Sequence, residues 1–270
     1  MKIKFFCARW GSEHLDWDIF LKKAKDAGYD GIEYGISKED TEDELKRIMD
    51  KIQDHGLEFI PQHFDTCADF EKYYANYKSW LEKLKPLQFL KVNSQTGKDH
   101  FSFNQNSKLI DLATEFAKEN NIQILHETHR GKFSFAAHIT KKYLSVLPHL
   151  KITLDASHWV NVSESYLEDQ PEAMDLAILR TEHVHARIGF PEGPQVNDPR
   201  APEWQMAMYT HLAWWDKVAK RKQEENALLT ITPEFGPFPY MPTLPFIQQP
   251  VASQWDVNVY MMNMLKKRYI

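Results

Sequence analysis

Four side chains that can bind a divalent metal each follow a short apolar run. Glu127 ends NIQILHE, Asp155 follows KITL, His185 ends EHVH, and Glu234 follows LLTITP. The runs have the length and composition of short buried β-strands, so each functional group falls at the C-terminal end of a predicted strand. If these strands lie parallel and side by side, three carboxylates and one imidazole meet at one rim. The sequence therefore predicts a metal site.

An oxygen-rich ligand set with one imidazole and no thiolate favours Mn²⁺ or Mg²⁺, with Co²⁺ or Zn²⁺ as alternatives. Each residue alone is weak support, because a strand-end glutamate is usually a solvated rim residue and Asp155 could simply cap the helix that follows. The joint pattern carries the prediction. His183 lies on the same strand face as His185 and is an alternative ligand, but His185 is nearer the strand end.

The period of the apolar pattern alternates between strand and helix along the whole chain. This pattern predicts eight strand-then-helix units and a single closed (β/α)₈ TIM barrel spanning residues 1–270, with its chemistry at the C-terminal strand ends. Two proline-rich segments, 190–202 and 236–250, are predicted active-site loops. The first four predicted strands cover 3–8, 31–34, 57–62 and 87–92, and the predicted helices cover 15–27, 41–55, 70–84, 109–119, 136–147, 172–179, 204–225 and 255–267.

Amino-acid composition disfavours nucleic-acid-binding, disulfide-rich and membrane-spanning classes of protein. A net charge of −5 disfavours a nucleic-acid surface, which would usually be basic. With only Cys7 and Cys67, a disulfide framework is not expected and a reducing compartment is, so we predict a cytoplasmic protein. The apolar N-terminal patch is too short for a signal peptide and no stretch is long enough to span a bilayer. We therefore expect no membrane partner.

The segments LDASH, HVHAR and PEF, with the Glu127 strand end, resemble the xylose-isomerase-like sugar isomerase/epimerase superfamily of TIM barrels. The resemblance implies that the four candidate ligands hold one divalent cation and that the two glutamates also move the proton. It implies that His158, three residues after Asp155, binds substrate. Arg187 follows His185 at a shorter spacing than the substrate-binding arginine of those epimerases. Stretches such as ARWG and HETHRGKF look like an uncharacterised subgroup. A homodimer is common in barrels of this resemblance.

The predicted reaction is isomerisation or epimerisation of a sugar or sugar phosphate by proton abstraction beside a carbonyl, through an enediolate. The metal stabilises the enediolate, one carboxylate removes the proton and a second returns one. Glu127 and Glu234 come from strands three steps apart and can approach opposite faces of the carbon, whereas Asp155 and His185 are ligands only. Candidate substrate contacts, each of which could equally be an ordinary rim or packing residue, are Trp10, Glu33, His63, Asn93, His129, Arg130, His158 and Arg187.

Three other functions fit parts of the pattern. A metal-dependent keto-sugar or keto-inositol dehydratase would share the first step and use His158 or His63 as general acid. A zinc nuclease of the abasic-site repair type shares the fold but needs more histidine ligands and a DNA-binding surface. A non-catalytic sugar-binding barrel would have no need of both candidate bases.

Overall fold

The computed structural model describes residues 2–270. It confirms the predicted (β/α)₈ barrel. Eight parallel strands close in chain order, with the last strand hydrogen-bonded to the first: β1 (Lys2–Ala8), β2 (Gly31–Gly35), β3 (Glu58–His63), β4 (Val92–Ser94), β5 (Ile124–Glu127), β6 (Ile152–Leu154), β7 (Thr181–His185) and β8 (Leu228–Thr232).

Helices cover the outside of the barrel, and a short 3₁₀ turn at Pro202–Trp204 precedes the eighth of them. None of the helices within residues 2–270 combines the length and apolar character needed to cross a bilayer. They are α1 (Trp17–Ala27), α2 (Glu42–Asp54), α3 (Phe70–Lys83), α4 (Phe103–Asn120), α5 (Ala137–Val146), α6 (Ala156–Ser163), α7 (Pro171–Arg180), α8 (Gln205–Glu224) and α9 (Gln254–Tyr269).

Local signals explain where several helices begin. The side chain of Thr41 accepts a hydrogen bond from the backbone N–H of Glu44, whose carboxylate accepts one from the Thr41 backbone N–H. Ser102 and Gln105 form the same reciprocal capping box at the start of α4. Each box satisfies two backbone donors that the first turn would otherwise leave unpaired.

Successive side chains of a strand point to opposite faces, so one set lines the barrel interior and the other packs between the strands and the helices. At the end of β3, Gln62 reaches inward to Glu127, whereas the next residue, His63, packs against Tyr77 and Trp80 of α3. On β5, Glu127 faces inward and His126 faces outward towards Phe133. Neighbouring residues of one strand therefore face either the barrel interior or the surrounding helices.

The predicted boundaries differ from the structure by more than two residues in two elements. β4 spans Val92–Ser94 rather than 87–92, because the turn that ends α3 continues through the Leu87 N–H to Leu84 carbonyl bond. α4 begins at Phe103 rather than at 109, because the Ser102 capping box nucleates it earlier. The apolar pattern gives no bounds for the short helix α6, which begins directly after Asp155.

Candidate metal centre and active-site mouth

The four predicted ligands meet at the C-terminal end of the barrel. Glu127 ends β5, Asp155 follows β6, His185 ends β7 and Glu234 follows β8. Each offers one ligand atom, and these atoms all lie within 4.8 Å of one another. Three of the side chains are fully buried and Glu234 is 5% exposed. We call these four residues the acidic cluster.

The orientation of His185 fits a metal ligand. Its Nε2 lies 3.0 Å from the Glu33 Oε1, so a proton on Nε2 is donated to a carboxylate. Its buried Nδ1 has no hydrogen-bond partner among the described residues, although Glu234 Oε2 is 2.9 Å away and Glu127 Oε1 is 3.6 Å away. A carboxylate on one ring nitrogen fixes the tautomer and leaves the lone pair of the other free for a cation. The residues present therefore fit a divalent metal.

The electrostatics of the acidic cluster favour binding of a positive charge. Burial alone would lower the pKa of His185, but Glu234, Glu33 and Glu127 together raise that pKa well above its ordinary value. Burial raises the pKa of Asp155 and of Glu234 more than the neighbouring cations lower it. Burial raises the pKa of Glu127, but His185, His129 and the hydrogen bond from Asn93 together outweigh burial and lower it. Without a metal, the cluster is balanced partly by protons.

Glu33 lies deeper in the barrel than the acidic cluster and contacts His185. It is 2% exposed, its Oε1 accepts a hydrogen bond from Asn93 at 2.9 Å, and its Oε2 lies 3.2 Å from the His183 Nε2. Asn93 also donates to Glu127 at 2.9 Å, so it links the two carboxylates. The Nδ1 of His183 lies 2.7 Å from the Thr230 hydroxyl. Both nitrogens of His183 have partners in the protein, although Glu33, His183 and His185 also form a group that could hold a metal ion.

Arg187 lies beside the cluster and is 1% exposed. Its guanidinium forms an ion pair with Oδ2 of Asp155, lies 3.6 Å from Glu234 and 2.7 Å from the His158 Nε2. Oδ1 of Asp155 accepts a hydrogen bond from the Ser157 backbone N–H and so caps α6. Asp155 thus serves both as the helix cap and as a member of the cluster.

A cavity of about 450 Å³ opens above the cluster. We call it the mouth cavity; its walls include Trp10, Gln62, Phe64, Gln95, Glu234 and Tyr240. Gln62 and Gln95 each donate a long hydrogen bond to one oxygen of Glu127, at 3.3 and 3.4 Å. Of the two candidate proton-transfer residues, Glu234 lines this cavity, and Glu127 lies behind Gln62 and Gln95.

Close packing holds the aromatic wall in place. A Cβ added to Gly236 would come within 2.1 Å of the Trp10 ring, so only glycine lets the indole lie against this backbone. Tyr240 meets Trp10 edge-on with ring centroids 5.1 Å apart. Gln195 exchanges two hydrogen bonds with the Gly236 backbone. The two proline-rich loops thus act together, with 236–250 supplying Tyr240 and 190–202 bracing it.

The structure distributes the predicted substrate contacts over three places. The mouth cavity is lined by Trp10, His129 and Arg187. The ring of His158 lies 3.9 Å from that of His129, and Arg130 lies 5.0 Å over the Tyr240 ring. Glu33 and Asn93 lie beneath the acidic cluster, while His63 lies on the opposite face of β3, away from it.

Sequence reasoning did not identify Gln62, Gln95, Phe64 or Tyr240 as wall residues of the mouth. Strand alternation allows either Gln62 or His63 to face inward, and chemistry alone favoured the histidine. Gln95, Phe64 and Tyr240 lie in loops, where no period of the sequence fixes the direction of a side chain. The proline content of 236–250 was the one available signal for Tyr240.

No protein-family model matches the chain, and no curated protein sequence matches it. Solved structures with the same fold include D-psicose 3-epimerase in the presence of D-fructose, at 13% identity and a TM-score of 0.64, with 98% of each chain covered. A sugar phosphate isomerase/epimerase from Parabacteroides distasonis is 14% identical with a TM-score of 0.62, covering 97% of this chain and 93% of that one. The probable 3-DHS dehydratase AsbF from Bacillus anthracis is 18% identical with a TM-score of 0.58, covering 98% and 99%.

These neighbours are xylose-isomerase-like TIM barrels, and two endonucleases also share the fold. At such identities the likeness establishes the fold. The neighbours are enzymes that carry out several different reactions, so the reaction of this chain has to be argued from its own residues.

Proposed function

We propose that the protein is a divalent-metal-dependent isomerase or epimerase of sugars or sugar phosphates. The observation that carries this proposal is the acidic cluster, with four ligand atoms within 4.8 Å of one another and the buried Nδ1 of His185 facing the carboxylates of Glu127 and Glu234. Its donor set favours Mn²⁺ or Mg²⁺, with Co²⁺ or Zn²⁺ as alternatives. When bound, such an ion supplies the positive charge that stabilises an enediolate.

Glu127 and Glu234 are the proposed proton-transfer residues. They approach His185 Nδ1 at 3.6 and 2.9 Å, and the substrate cavity lies above them. Their surroundings differ, because Glu127 is fully buried and accepts a hydrogen bond from Asn93, whereas Glu234 reaches the mouth cavity. Asp155 and His185 remain ligands only, and Arg187 holds the Asp155 carboxylate.

The proposed substrate contacts are suited to hydroxyl groups. Burial lowers the pKa of His158 and of His129, so both rings are neutral near pH 7 and can donate or accept hydrogen bonds. Trp10 and Tyr240 offer aromatic faces on which a sugar ring can stack. Arg130 and Arg187 add positive charge behind Tyr240.

A keto-sugar or keto-inositol dehydratase is the second candidate. The fold is shared with a probable dehydratase. His158, which lies beside Arg187 and Asp155, would then be the general acid that protonates the leaving hydroxyl. The product mass separates the two, because a dehydratase product is lighter by one water.

The first test measures bound metal by elemental analysis in protein purified without a metal-affinity step. We expect about one equivalent in the wild type and none in Asp155→Ala. Asp216→Ala, which removes a carboxylate paired with Arg268 on the surface, is the matched control and keeps its metal. A screen of ketoses for solvent deuterium uptake follows. A wild type that takes up none of the four ions would refute the proposal.

We further propose a cytoplasmic protein whose partner is a small carbohydrate rather than nucleic acid or membrane. Cys7 and Cys67 are both free thiols, which is in keeping with a reducing compartment. A homodimer is proposed from the family resemblance alone, and light scattering on the purified protein measures it.

A further inference from the structure

A second cavity of about 380 Å³ lies beside the mouth cavity. Its walls come from the loop after β2, from the end of β3 and the loop that follows it, and from α3. We call it the side cavity; its walls include His63, Phe64, Asp65, Asn76, Ser79 and Trp80. It lies across β3 from the acidic cluster and has no part in the proton transfer proposed above.

The end of β3 forms the partition between the two cavities. Gln62 lines the mouth cavity, His63 lines the side cavity, and Phe64 lines both. Phe64 is 47% exposed, which is high for so large an apolar ring. A Cβ added to Gly35 would come within 2.9 Å of this ring, so the glycine lets the phenyl group lie close to the strand end. A ligand that passes over Phe64 would contact both cavities.

The two half-buried charged groups of the side cavity are satisfied within the protein, and its two exposed ones carry opposite charges. Lys83 donates to the carbonyl oxygens of Lys38 and Asp40 at 2.8 and 2.9 Å. Asp65 accepts from the Cys67 backbone N–H at 2.7 Å and from Asn76 at 2.9 Å. The ammonium of Lys38 lies 3.6 Å from the Glu39 carboxylate. These walls offer no strong site for an ionised ligand, and they favour an uncharged one.

His63 gives the side cavity a group that can recognise a hydroxyl. It is 2% exposed, and its Nδ1 lies 3.3 Å from the Ser94 hydroxyl. No described residue hydrogen-bonds its Nε2. Burial and the nearby charge of Lys132 lower its pKa well below the ordinary value, so the ring is neutral and can pair with a ligand hydroxyl. Asn76 and Ser79 add further polar groups to the same walls.

We propose that the side cavity is a subsite for a second, uncharged, hydroxylated part of the substrate. The preferred substrate is then a ketose that carries a neutral glycosyl group, rather than a free or phosphorylated monosaccharide. Each cavity alone is near the lower end of the range of about 300–1,000 Å³ that is typical of ligand pockets, and the pair suits a two-ring ligand. This inference depends on the proposed function to place the reacting ketose in the mouth cavity.

The test is calorimetric binding to metal-loaded protein, which needs no turnover. The probes are fructose, a fructose monophosphate, and the ketose disaccharides turanose, lactulose, leucrose and isomaltulose, which carry the second hexose on different fructose oxygens. Two net hydrogen bonds in the side cavity correspond to about a tenfold gain in affinity. We therefore expect at least one disaccharide to bind about tenfold more tightly than fructose or its phosphate.

A cavity-filling variant locates the gain. Ser79 is exposed on α3 and lines the side cavity, so Ser79→Trp should fill the cavity without disturbing the core. Ser145→Trp makes the same change at an exposed position of α5 and serves as the control. We expect Ser79→Trp to abolish the disaccharide advantage while fructose affinity and metal content stay unchanged, and Ser145→Trp to keep it.

Three outcomes would overturn the subsite: no disaccharide gains over fructose, the gain survives Ser79→Trp, or the monophosphate binds most tightly. Solvent deuterium uptake separates this result from the proposed function. Tight disaccharide binding without deuterium uptake would refute the isomerase and leave the subsite standing. Deuterium uptake by fructose with no disaccharide advantage would refute the subsite alone.

Discussion

Replacing Glu33 by glutamine should weaken metal binding without touching a metal ligand. The pKa of Glu33 is held well below its ordinary value, because the attraction of His185 and His183 outweighs burial, so the native group is an anion. In the variant, the His185 Nε2–H would donate to a neutral amide oxygen instead of a carboxylate. The imidazole would become a poorer electron donor, and its Nδ1 would be held less firmly towards the acidic cluster.

The magnitude follows from one hydrogen bond. The 3.0 Å contact between His185 Nε2 and Glu33 Oε1 is charge-assisted, and such bonds contribute about 1.5–3 kcal/mol compared with about 0.5–1.5 kcal/mol for neutral ones. A loss of roughly 1.4 kcal/mol of binding free energy raises the dissociation constant for the metal about tenfold. Since His183 and Thr232 also contact the carboxylate, we expect the Mn²⁺ affinity to fall by about 10–100-fold.

The assay is competition between metal-free protein and a fluorescent chelator at constant pH. Glu58→Gln is the matched control, because this carboxylate is also ion-paired but lies at the start of β3, at the other end of the barrel. Nitrogen NMR of the histidines in Mg²⁺-loaded protein provides a second readout, since an ion on Nδ1 would leave the single proton of His185 on Nε2. An affinity within twofold of wild type, with that tautomer retained, would show that Glu33 does not position His185.

Three further outcomes can be measured. The raised pKa of His185 favours the doubly protonated ring in the metal-free protein, so metal binding should release a proton from it and weaken as pH falls; titration in buffers of different ionisation enthalpy counts the protons released. Gly236→Ala should displace Trp10, seen as a shift in tryptophan emission with metal content unchanged. Arg187→Met leaves buried Asp155 without its partner. Chemical denaturation of the metal-free variant should show a free energy of unfolding lower by about 3 kcal/mol or more, and added Mn²⁺ should partly restore it. An equal loss with and without metal would contradict the role of Asp155 as a metal ligand.

The barrel could be predicted from the sequence because its signals are local and repeated. Each apolar run is short and ends in a polar group, and each helix has a stripe of apolar residues and a stop signal such as Gly28. The acidic cluster could be predicted for the same reason, since parallel strands place all their ends on one rim. The predicted bounds of β4 are wrong because the apolar stretch begins at Leu87, where the chain still turns after α3, whereas the strand itself covers Val92–Ser94.

The surroundings of the site could not be predicted in the same way. Whether Gln62 or His63 faces Glu127 depends on strand register, and a shift of one residue reverses every side chain of β3. The contact between Glu33 and His185 joins residues far apart in the chain, and no local pattern encodes it. Tyr240 reaches the mouth only because its loop is braced by Gln195 through Gly236.

The burial of the acidic cluster has a consequence for the rate of metal exchange. Glu127, Asp155 and His185 have no solvent-exposed surface, and the route from solution passes the wall of the mouth cavity. An ion held there could leave only after its bonds to several buried ligands are broken one after another, and each departure would leave charges unpaired in a dry site. Dissociation would then be slow even if equilibrium affinity were moderate. The ion found in purified protein would record which metal was abundant when the chain folded, rather than which one binds most tightly.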